Sequence, residues 1–117
     1  MMTLDGIKAV DLTQNVAGPY CTQLLGDFGA TVIKIERPDG GDDVRRFAPS
    51  WRGESAPYLS YNRNKRSICI DLGQSKGPEI VRRLVRDADI FVHSMKPGGA
   101  ESHGLGYEQL SAENSRL

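Results

Sequence analysis

The sequence predicts an α/β protein built on a parallel β-sheet with helices on both faces. Two observations support this fold class. Runs rich in apolar and β-branched residues, typical of buried strands, recur at residues 7–12, 31–36, 67–72 and 89–94. Helical patterns alternate with these runs, and the first crossover, of about a dozen residues, is long enough to join parallel strands. Because parallel sheets are normally covered on both sides, helices are expected on each face.

The first strand leads into the first helix through a turn-rich link at residues 13–19. Pro19 suits the first turn of a helix, because the N–H group that proline lacks has no partner there. Apolar residues then recur at helical spacing from 20 to 28. Gly29 tolerates the positive φ that commonly ends a helix, so the helix is predicted to stop there. The strand at 31–36 is the clearest in the sequence, and its crossover should be right-handed.

A long segment without periodicity separates the second strand from the third. It spans residues 37–56, and a loop of this length in a small domain is more often functional or interface-forming than idle. The helix before the last strand has apolar residues on one face and arginines on the other. Helical segments in this half of the chain are predicted at residues 57–62, 77–87 and 107–114, and a turn or short helix is predicted at residues 97–104.

The composition excludes several classes of protein. A length of 117 residues suits one domain, and 15 basic residues balance 15 acidic ones, so neither nucleic acid nor an anionic membrane is expected as a partner. No run approaches the roughly 20 apolar residues that span a membrane, and the N-terminus lacks a secretory pattern. Cys21 and Cys69 lack the spacing of a metal site, which predicts reduced, structural thiols in a cytoplasmic protein.

Candidate ligand contacts follow the predicted strands, because ligands of open α/β sheets bind outside the carboxyl ends of the strands. Val16 and Ala17 lie in the link before the first helix, where N–H groups and the helix dipole favour anions. A plain tight turn explains the same residues. Arg37 follows the second strand and suits a phosphate, although a solvated arginine is the simpler interpretation. The segment 94–96 follows the fourth strand and is also compatible with a simple turn.

Other polar residues have a structural explanation. The basic run at 62–67 is an anion-binding patch or a solvated loop. Asp11 in the first strand is interpreted as a hydrogen-bonded structural carboxylate, and the charges at 42–46 as ion pairs within a loop. His93 is expected to be packed or solvated, and His103 to be exposed. No catalytic residue is assigned, since no Ser-His-Asp, Cys-His or metal-binding constellation is present.

Several short motifs follow one another in a specific order along nearly the whole chain. They lie at residues 4–13, 17–30, 32–38, 41–45, 62–67, 88–90, 97–98 and 104–107. In this order they resemble the N-terminal segment of a family III CoA-transferase of the formyl-CoA or succinyl-CoA:dicarboxylate type. The resemblance implies a Rossmann-like sheet, of which residues 1–117 form the N-terminal, CoA-binding and incomplete part.

The resemblance also implies which positions contact coenzyme A. They are Val16, Ala17, Arg37, Ile70, Asp71, Leu72, Gly73, Ser94, Met95 and Lys96. Three of them depart from the family pattern, since Gly73 stands where a lysine often occurs, and Ser94 and Met95 replace an asparagine and an aromatic residue. Ser102 falls where an arginine is common, and no contact is predicted for it.

The resemblance further implies the reaction, in which CoA moves from an acyl-CoA to a carboxylic acid through an anhydride on an aspartate. That aspartate is expected beyond Leu117, so the chain alone is predicted to be inactive. CoA and acyl-CoA are substrates, no cofactor is expected to be permanently bound, and an interlocked homodimer is expected. The alternatives are a 2-methylacyl-CoA racemase and a non-catalytic CoA-binding or dimerisation fragment. An NAD-dependent dehydrogenase is disfavoured, because the three-glycine fingerprint is absent.

Overall fold

A four-stranded parallel sheet forms the centre of the molecule. The computed structural model describes residues 1–117. The strands, in chain order, are β1 (Lys8–Leu12), β2 (Thr31–Glu36), β3 (Ser50–Trp51), β4 (Glu54–Ser55), β5 (Lys65–Cys69) and β6 (Ile90–His93). The sheet has the order β5-β2-β1-β6 with all pairs parallel, and β3 pairs with β4 in a separate antiparallel hairpin. The predicted fold class is therefore confirmed.

Helices cover both faces of the sheet, as predicted. They are α1 (Ala17–Asp27), a 3₁₀ helix (Asp43–Arg46), α2 (Ala56–Asn62), α3 (Lys76–Val85), α4 (Gly99–Ser102) and α5 (Tyr107–Glu113). Neighbouring residues of a strand point to opposite faces. Accordingly, Val10 belongs to a core with Val81 of α3 and Leu110 of α5, whereas Ala9 belongs to a second cluster that Leu25 of α1 packs against. None of the helices combines the length and apolarity that crossing a membrane requires.

The α3 face of the sheet holds the larger hydrophobic core. Val81 and Val85 are buried there, and Leu84 packs against them, as the helical spacing predicts. Ile80, which the same pattern assigned to the apolar face, is 39% exposed. The arginines of this helix lie on its outer side, as expected. Loop and C-terminal segments complete the core through Ala100, Leu105 and Leu110.

Helix α1 turns a mostly polar face to the sheet. Its buried residues are Pro19, Thr22, Gln23 and Gly26, while most of its large apolar side chains, Tyr20, Leu24 and Phe28 among them, are exposed. The reason lies in β1, which presents the buried Asp11 to this helix, and the Thr22 hydroxyl donates to that carboxylate at 2.6 Å. The apolar spacing predicted the helix correctly but not the side that is buried.

The predicted end of α1 is confirmed. Gly29 has φ +107, its N–H donates to the Gly26 carbonyl at 3.0 Å, and the N–H of Ala30 donates to the Leu25 carbonyl at 3.0 Å. These two bonds close the last turn in the manner of a Schellman motif. The helix begins at Ala17, two residues earlier than Pro19, which lies in its first turn.

Two boundaries differ from the prediction. The third strand of the sheet spans Lys65–Cys69 instead of residues 67–72, so Lys65 and Arg66 belong to a strand and not to a loop. The segment 37–56 contains the 3₁₀ helix and the β3–β4 hairpin, two short elements that give no periodicity long enough to detect. Both cysteines are free, and both are exposed, so neither thiol is packed inside the core.

Candidate functional site

A cavity of about 640 Å³ opens at the carboxyl ends of the four parallel strands. Ligand sites commonly have volumes of about 300–1,000 Å³. The segments that line the cavity follow β1, β2, β5 and β6, and residues from the α4 region close one side. Strand β1 lies between β2 and β6. From β1 the chain passes through α1 to β2 on one side, and it later returns to form β6 on the other side. Ligands of open α/β sheets bind at such a switch point.

The structure brings together eight of the ten residues predicted to contact a ligand. Those that line the cavity are Arg37, Ile70, Asp71, Leu72, Gly73, Ser94, Met95 and Lys96. Val16 and Ala17 are outside the lining, although the adjacent Gln14 and Asn15 are part of it. The segment after β1 therefore reaches the cavity through Gln14 and Asn15, and contact of Val16 and Ala17 with a ligand stays a prediction.

The small residue Gly18 has a packing role. A Cβ at this position would lie 2.4 Å from the Thr13 Cβ, so the room that Gly18 leaves is filled by Thr13. The N-terminus of α1 is thereby brought close to the end of β1. This contact, and not the approach of a ligand, accounts for the glycine.

Arg37 lies at the rim of the cavity with a side chain that is 42% exposed. Its Nη2 donates to the Asp43 carboxylate, which also binds Arg46, and its Nε donates to the Asp39 carbonyl at 3.1 Å. Two guanidinium groups thus share one carboxylate. The cluster keeps a positive charge that is available to an anion at the rim.

The segment after β5 is fixed by its own backbone. The Asp71 Oδ1 accepts the N–H of Gly73 at 2.9 Å. A Cβ at Gly77 would lie 2.0 Å from the Asp71 carbonyl oxygen, so this glycine lets the start of α3 pack directly on the segment. Ile70 is buried in the main core, and it anchors the cavity wall to the sheet.

The segment after β6 is joined to the segment after β1. The Ser94 hydroxyl accepts the N–H of Gln14 at 3.3 Å. The N–H of Met95 donates to the His93 Nδ1 at 3.2 Å, which gives this strand-end histidine a structural role. Lys96 is exposed and adds a second cation to the lining.

Sequence reasoning missed several lining residues. Gln14 and Asn15 follow a strand as the predicted contacts do, and their position was the available signal. Glu36 is the last residue of β2, and its side chain points to the α1 side. Ser102 and His103 also line the cavity. They reach it only because α4 folds back over the sheet edge. His103 was expected to be exposed, but it is half-buried.

Buried charges fill the space between the sheet and α1. The Asp11 carboxylate pairs with Lys65 Nζ at 3.0 Å, and their side chains are 0% and 2% exposed. Burial opposes the charge of Asp11, but Lys65 and the hydroxyls of Thr13 and Thr22 outweigh it and lower its pKa. Burial also lowers the pKa of Lys65. Asp11 is therefore a structural carboxylate, as predicted, and the partner that the sequence did not reveal is Lys65.

Other charges predicted to form a loop set pair in different ways. Asp42 pairs with Lys34 and not with a neighbouring arginine. Arg45 binds the Glu36 carboxylate through Nε at 2.8 Å and Nη2 at 2.7 Å and stacks on the Tyr58 ring. Only Asp43 and Arg46 form the expected local pair.

The basic run at 62–67 does not form a single anion-binding patch. Lys65 is paired with Asp11, and Arg63 binds Asp27 at 2.7 Å. Arg66 is exposed and does not line the cavity. No group of three or more His, Cys, Asp or Glu residues is placed to hold a metal ion. The cavity lining therefore holds two exposed cations, Arg37 and Lys96, and one exposed carboxylate, Asp71, among polar and apolar residues. The cations can meet the anionic part of a ligand, and the apolar residues can meet its apolar part.

Comparison with known proteins gives consistent matches over nearly the whole chain. A family model described as CoA-transferase family III matches residues 4–117. The chain is 48% identical to the human succinyl-CoA:glutarate CoA-transferase over 92% of its own length and 25% of that protein. It is 41% identical to the beta subunit of the succinyl-CoA–L-malate CoA-transferase of Chloroflexus aurantiacus, over 99% of the chain and 29% of the relative.

A solved structure gives the same result. The crystal structure of a CAIB/BAIF family protein from Brucella suis is similar with a TM-score of 0.90 and 44% identity, over 97% of this chain and 31% of that one. The chain thus spans about a quarter to a third of the length of the relatives that it matches.

Proposed function

The chain belongs to CoA-transferase family III, and from this premise we propose that it forms the CoA-binding part of an enzyme that transfers CoA from an acyl-CoA to a carboxylic acid. The observation that carries the proposal is the cavity at the carboxyl edge of the sheet, which eight of the ten predicted CoA contacts line. Relatives named for succinyl-CoA with glutarate or L-malate support a dicarboxylic acid as the acceptor.

The chemistry of the cavity suits the nucleotide half of coenzyme A. Arg37 at the rim offers a planar guanidinium to a phosphate group, and Lys96 adds a second positive charge. Ile70 and Leu72 supply apolar surface beside them, which suits a purine ring. The family resemblance implies that Val16 and Ala17 lie near the thioester end of CoA, and they directly follow Gln14 and Asn15 of the cavity lining.

The covalent step is assigned to an aspartate outside the chain. In this proposal an aspartate carboxylate attacks the thioester carbonyl of the donor, the CoA thiolate leaves, and an anhydride forms. Asp11 is buried in its ion pair with Lys65, so it is not free to attack a thioester. Asp71 lines the cavity, but by the family resemblance none of the aspartates of this chain, Asp71 included, matches the nucleophile. The chain alone is therefore expected to bind CoA without transferring it.

The assembly and setting of the enzyme follow from the family. We expect no permanently bound cofactor, an interlocked homodimer and a cytoplasmic location. Relatives from Chloroflexus aurantiacus are named as alpha and beta subunits, which supports an assembly of more than one chain.

Calorimetric titration with CoA tests the binding part of the proposal. The wild-type chain should release or absorb heat with millimolar CoA. Arg37→Gln should weaken binding about ten-fold, because it removes a charge-assisted contact to phosphate. Arg66→Gln is the matched control, since it removes the same charge from an exposed side chain outside the cavity and should change the affinity little. Absence of heat with the wild type, or equal loss in both variants, would reject the assigned site.

A turnover assay tests the catalytic part. The purified chain is mixed with succinyl-CoA and a panel of dicarboxylic acids, and acyl-CoA products are separated by chromatography. No product should form. Turnover by the chain, abolished by Asp71→Asn, would show that the nucleophile lies within these residues and would overturn its assignment elsewhere.

A further inference from the structure

One lysine and one aspartate form an ion pair that is completely enclosed beneath the cavity rim. Lys34 Nζ lies 2.8 Å from Asp42 Oδ2, and the two side chains are 0% and 1% exposed. Removing two charges from water is costly, and a buried ion pair is often no more stabilising than an apolar pair of the same size. Stability by itself therefore does not explain why β2 places a charged residue at this inward position.

Both members of the pair also bind the backbone of the cavity rim. Lys34 Nζ donates to the Thr13 carbonyl at 3.2 Å. Asp42 Oδ1 accepts the N–H of Asn15 at 3.0 Å and that of Val44 at 3.1 Å. The ion pair therefore holds the chain on both sides of Gln14, and residues 13–15 are part of the cavity lining.

This stretch of backbone needs support from outside. Asn15 has φ +68, a left-handed conformation that residues other than glycine adopt rarely, although asparagine tolerates it better than most. The stretch is exposed at Gln14 and Asn15, so packing does not hold it. Its other polar ties are the Gln14 N–H to the Ser94 hydroxyl at 3.3 Å and the Thr13 N–H to Asp11 Oδ1 at 2.9 Å, and the Thr13 hydroxyl also donates to Asp11.

We propose that Lys34 and Asp42 are positioning residues, which hold residues 13–15 in the conformation that the cavity presents to its ligand. This inference rests on the proposed function, in which the ligand is CoA. Neither side chain reaches the ligand, since both are enclosed. Their effect passes through the Thr13 carbonyl and the Asn15 N–H.

An aspartate is required at position 42 because both of its oxygens accept. Oδ2 accepts from Lys34, and Oδ1 accepts from two backbone N–H groups. Asparagine has one accepting oxygen and one NH₂ group, which only donates. Asp42→Asn therefore satisfies Lys34 or the backbone of Asn15, but not both, while it keeps the shape of the side chain.

Amide hydrogen exchange measures the positioning directly. Lys34→Met and Asp42→Asn should each raise the exchange rate of the Asn15 amide about ten-fold or more, since each disturbs a hydrogen bond to a charged group. Asn114→Ala is the matched control. It removes two buried hydrogen bonds, from Asn114 Nδ2 to the carbonyls of Val85 at 2.9 Å and Ala88 at 2.7 Å, and neither bond involves the Lys34–Asp42 pair or residues 13–15. The Asn15 amide should keep its protection in this variant.

CoA affinity then measures the consequence, under conditions where circular dichroism shows every variant folded. If the rim spends most of its time in other conformations, the apparent affinity for CoA falls in proportion to the fraction that remains competent. Asp42→Asn should therefore weaken CoA binding about five-fold or more, while Asn114→Ala stays within about two-fold. If Lys34→Met does not fold, Asp42→Asn alone decides.

Each result is decisive. Unchanged Asn15 exchange in Asp42→Asn overturns the positioning role. An equal loss of CoA affinity in Asp42→Asn and Asn114→Ala also overturns it, because it would indicate general destabilisation. If the wild-type chain bound no CoA, the proposed function would fail, and the exchange rates would still decide whether the ion pair holds the rim.

Discussion

Substitution of Glu36 by glutamine should remove a large, pH-dependent part of the stability of the fold. The Glu36 carboxylate accepts from Arg45 at 2.7 and 2.8 Å, from the Tyr58 hydroxyl at 3.2 Å and from the Asp42 N–H at 2.9 Å, and it also accepts from the Ser67 hydroxyl. Its side chain is 2% exposed. Glutamine would turn an NH₂ group toward some of these donors and leave them unpaired.

The pKa of Glu36 gives the magnitude. Burial opposes the charge, but the hydrogen bonds from Arg45, Ser67 and the Asp42 N–H outweigh it, and the pKa falls from 4.5 to about 2. Each pKa unit corresponds to about 1.4 kcal/mol, so the full difference would be about 3 kcal/mol. The Arg45 side chain is 34% exposed, so solvent screens part of this interaction, and about 2 kcal/mol is a better expectation.

The sign of the pH dependence follows from the direction of the shift. Because the folded pKa lies below the unfolded value of 4.5, the charged carboxylate stabilises the fold fully above pH 4.5. This contribution is lost as the pH falls toward about 2. Glu36→Gln should therefore be destabilised near neutral pH, and its free energy of unfolding should approach that of the wild type at low pH.

Urea unfolding followed by circular dichroism, repeated between about pH 7 and about pH 2, provides the measurement. Glu79→Gln is the control, because Glu79 is exposed on α3, and it should change stability by less than about 0.5 kcal/mol at any pH. A constant difference between Glu36→Gln and the wild type across this range would refute the reasoning. It would mean that the cost comes from packing and not from the carboxylate charge.

Other substitutions test the packing. Gly18→Ala should lower the free energy of unfolding in urea by about 1–3 kcal/mol, because the added Cβ would lie 2.4 Å from the Thr13 Cβ. A loss below about 0.5 kcal/mol, which is roughly the scatter of surface substitutions, would contradict this contact. Leu105→Ala should cost about 2–5 kcal/mol, since Leu105 is 1% exposed in the main core. Leu24→Ala should cost far less, because Leu24 is 37% exposed on α1, and equal melting temperatures for the two variants would contradict the assigned faces.

The elements predicted from the sequence are those with a local cause. The alternation of strands and helices, the end of α1 at Gly29 and the buried valines of α3 all follow from short-range patterns. The β3–β4 hairpin was not predicted, because strands of two residues carry no periodic signal. The start of the third strand was placed two residues late, because Lys65 and Arg66 do not resemble strand residues by composition.

The candidate site was predicted only in part, because only the segments directly after strands carry a local signal. Segments after strands were the expected ligand contacts, and the structure gathers Arg37, the residues at 70–73 and those at 94–96 around one cavity. Their role in binding CoA stays a prediction. His103 was missed, because only the return of α4 toward the sheet brings it to the cavity.

By itself, the sequence determined the parallel α/β fold class and the edge of the sheet at which the cavity opens, because both depend on the order of strands and helices along the chain. Only the tertiary structure decided the partners of the buried charges. Asp11 meets Lys65 across 54 residues of sequence, and Lys34 meets Asp42 beneath the cavity rim. Such pairs depend on strand order and on which side of a helix is buried, and α1 buries its polar side because charged residues face it from the sheet.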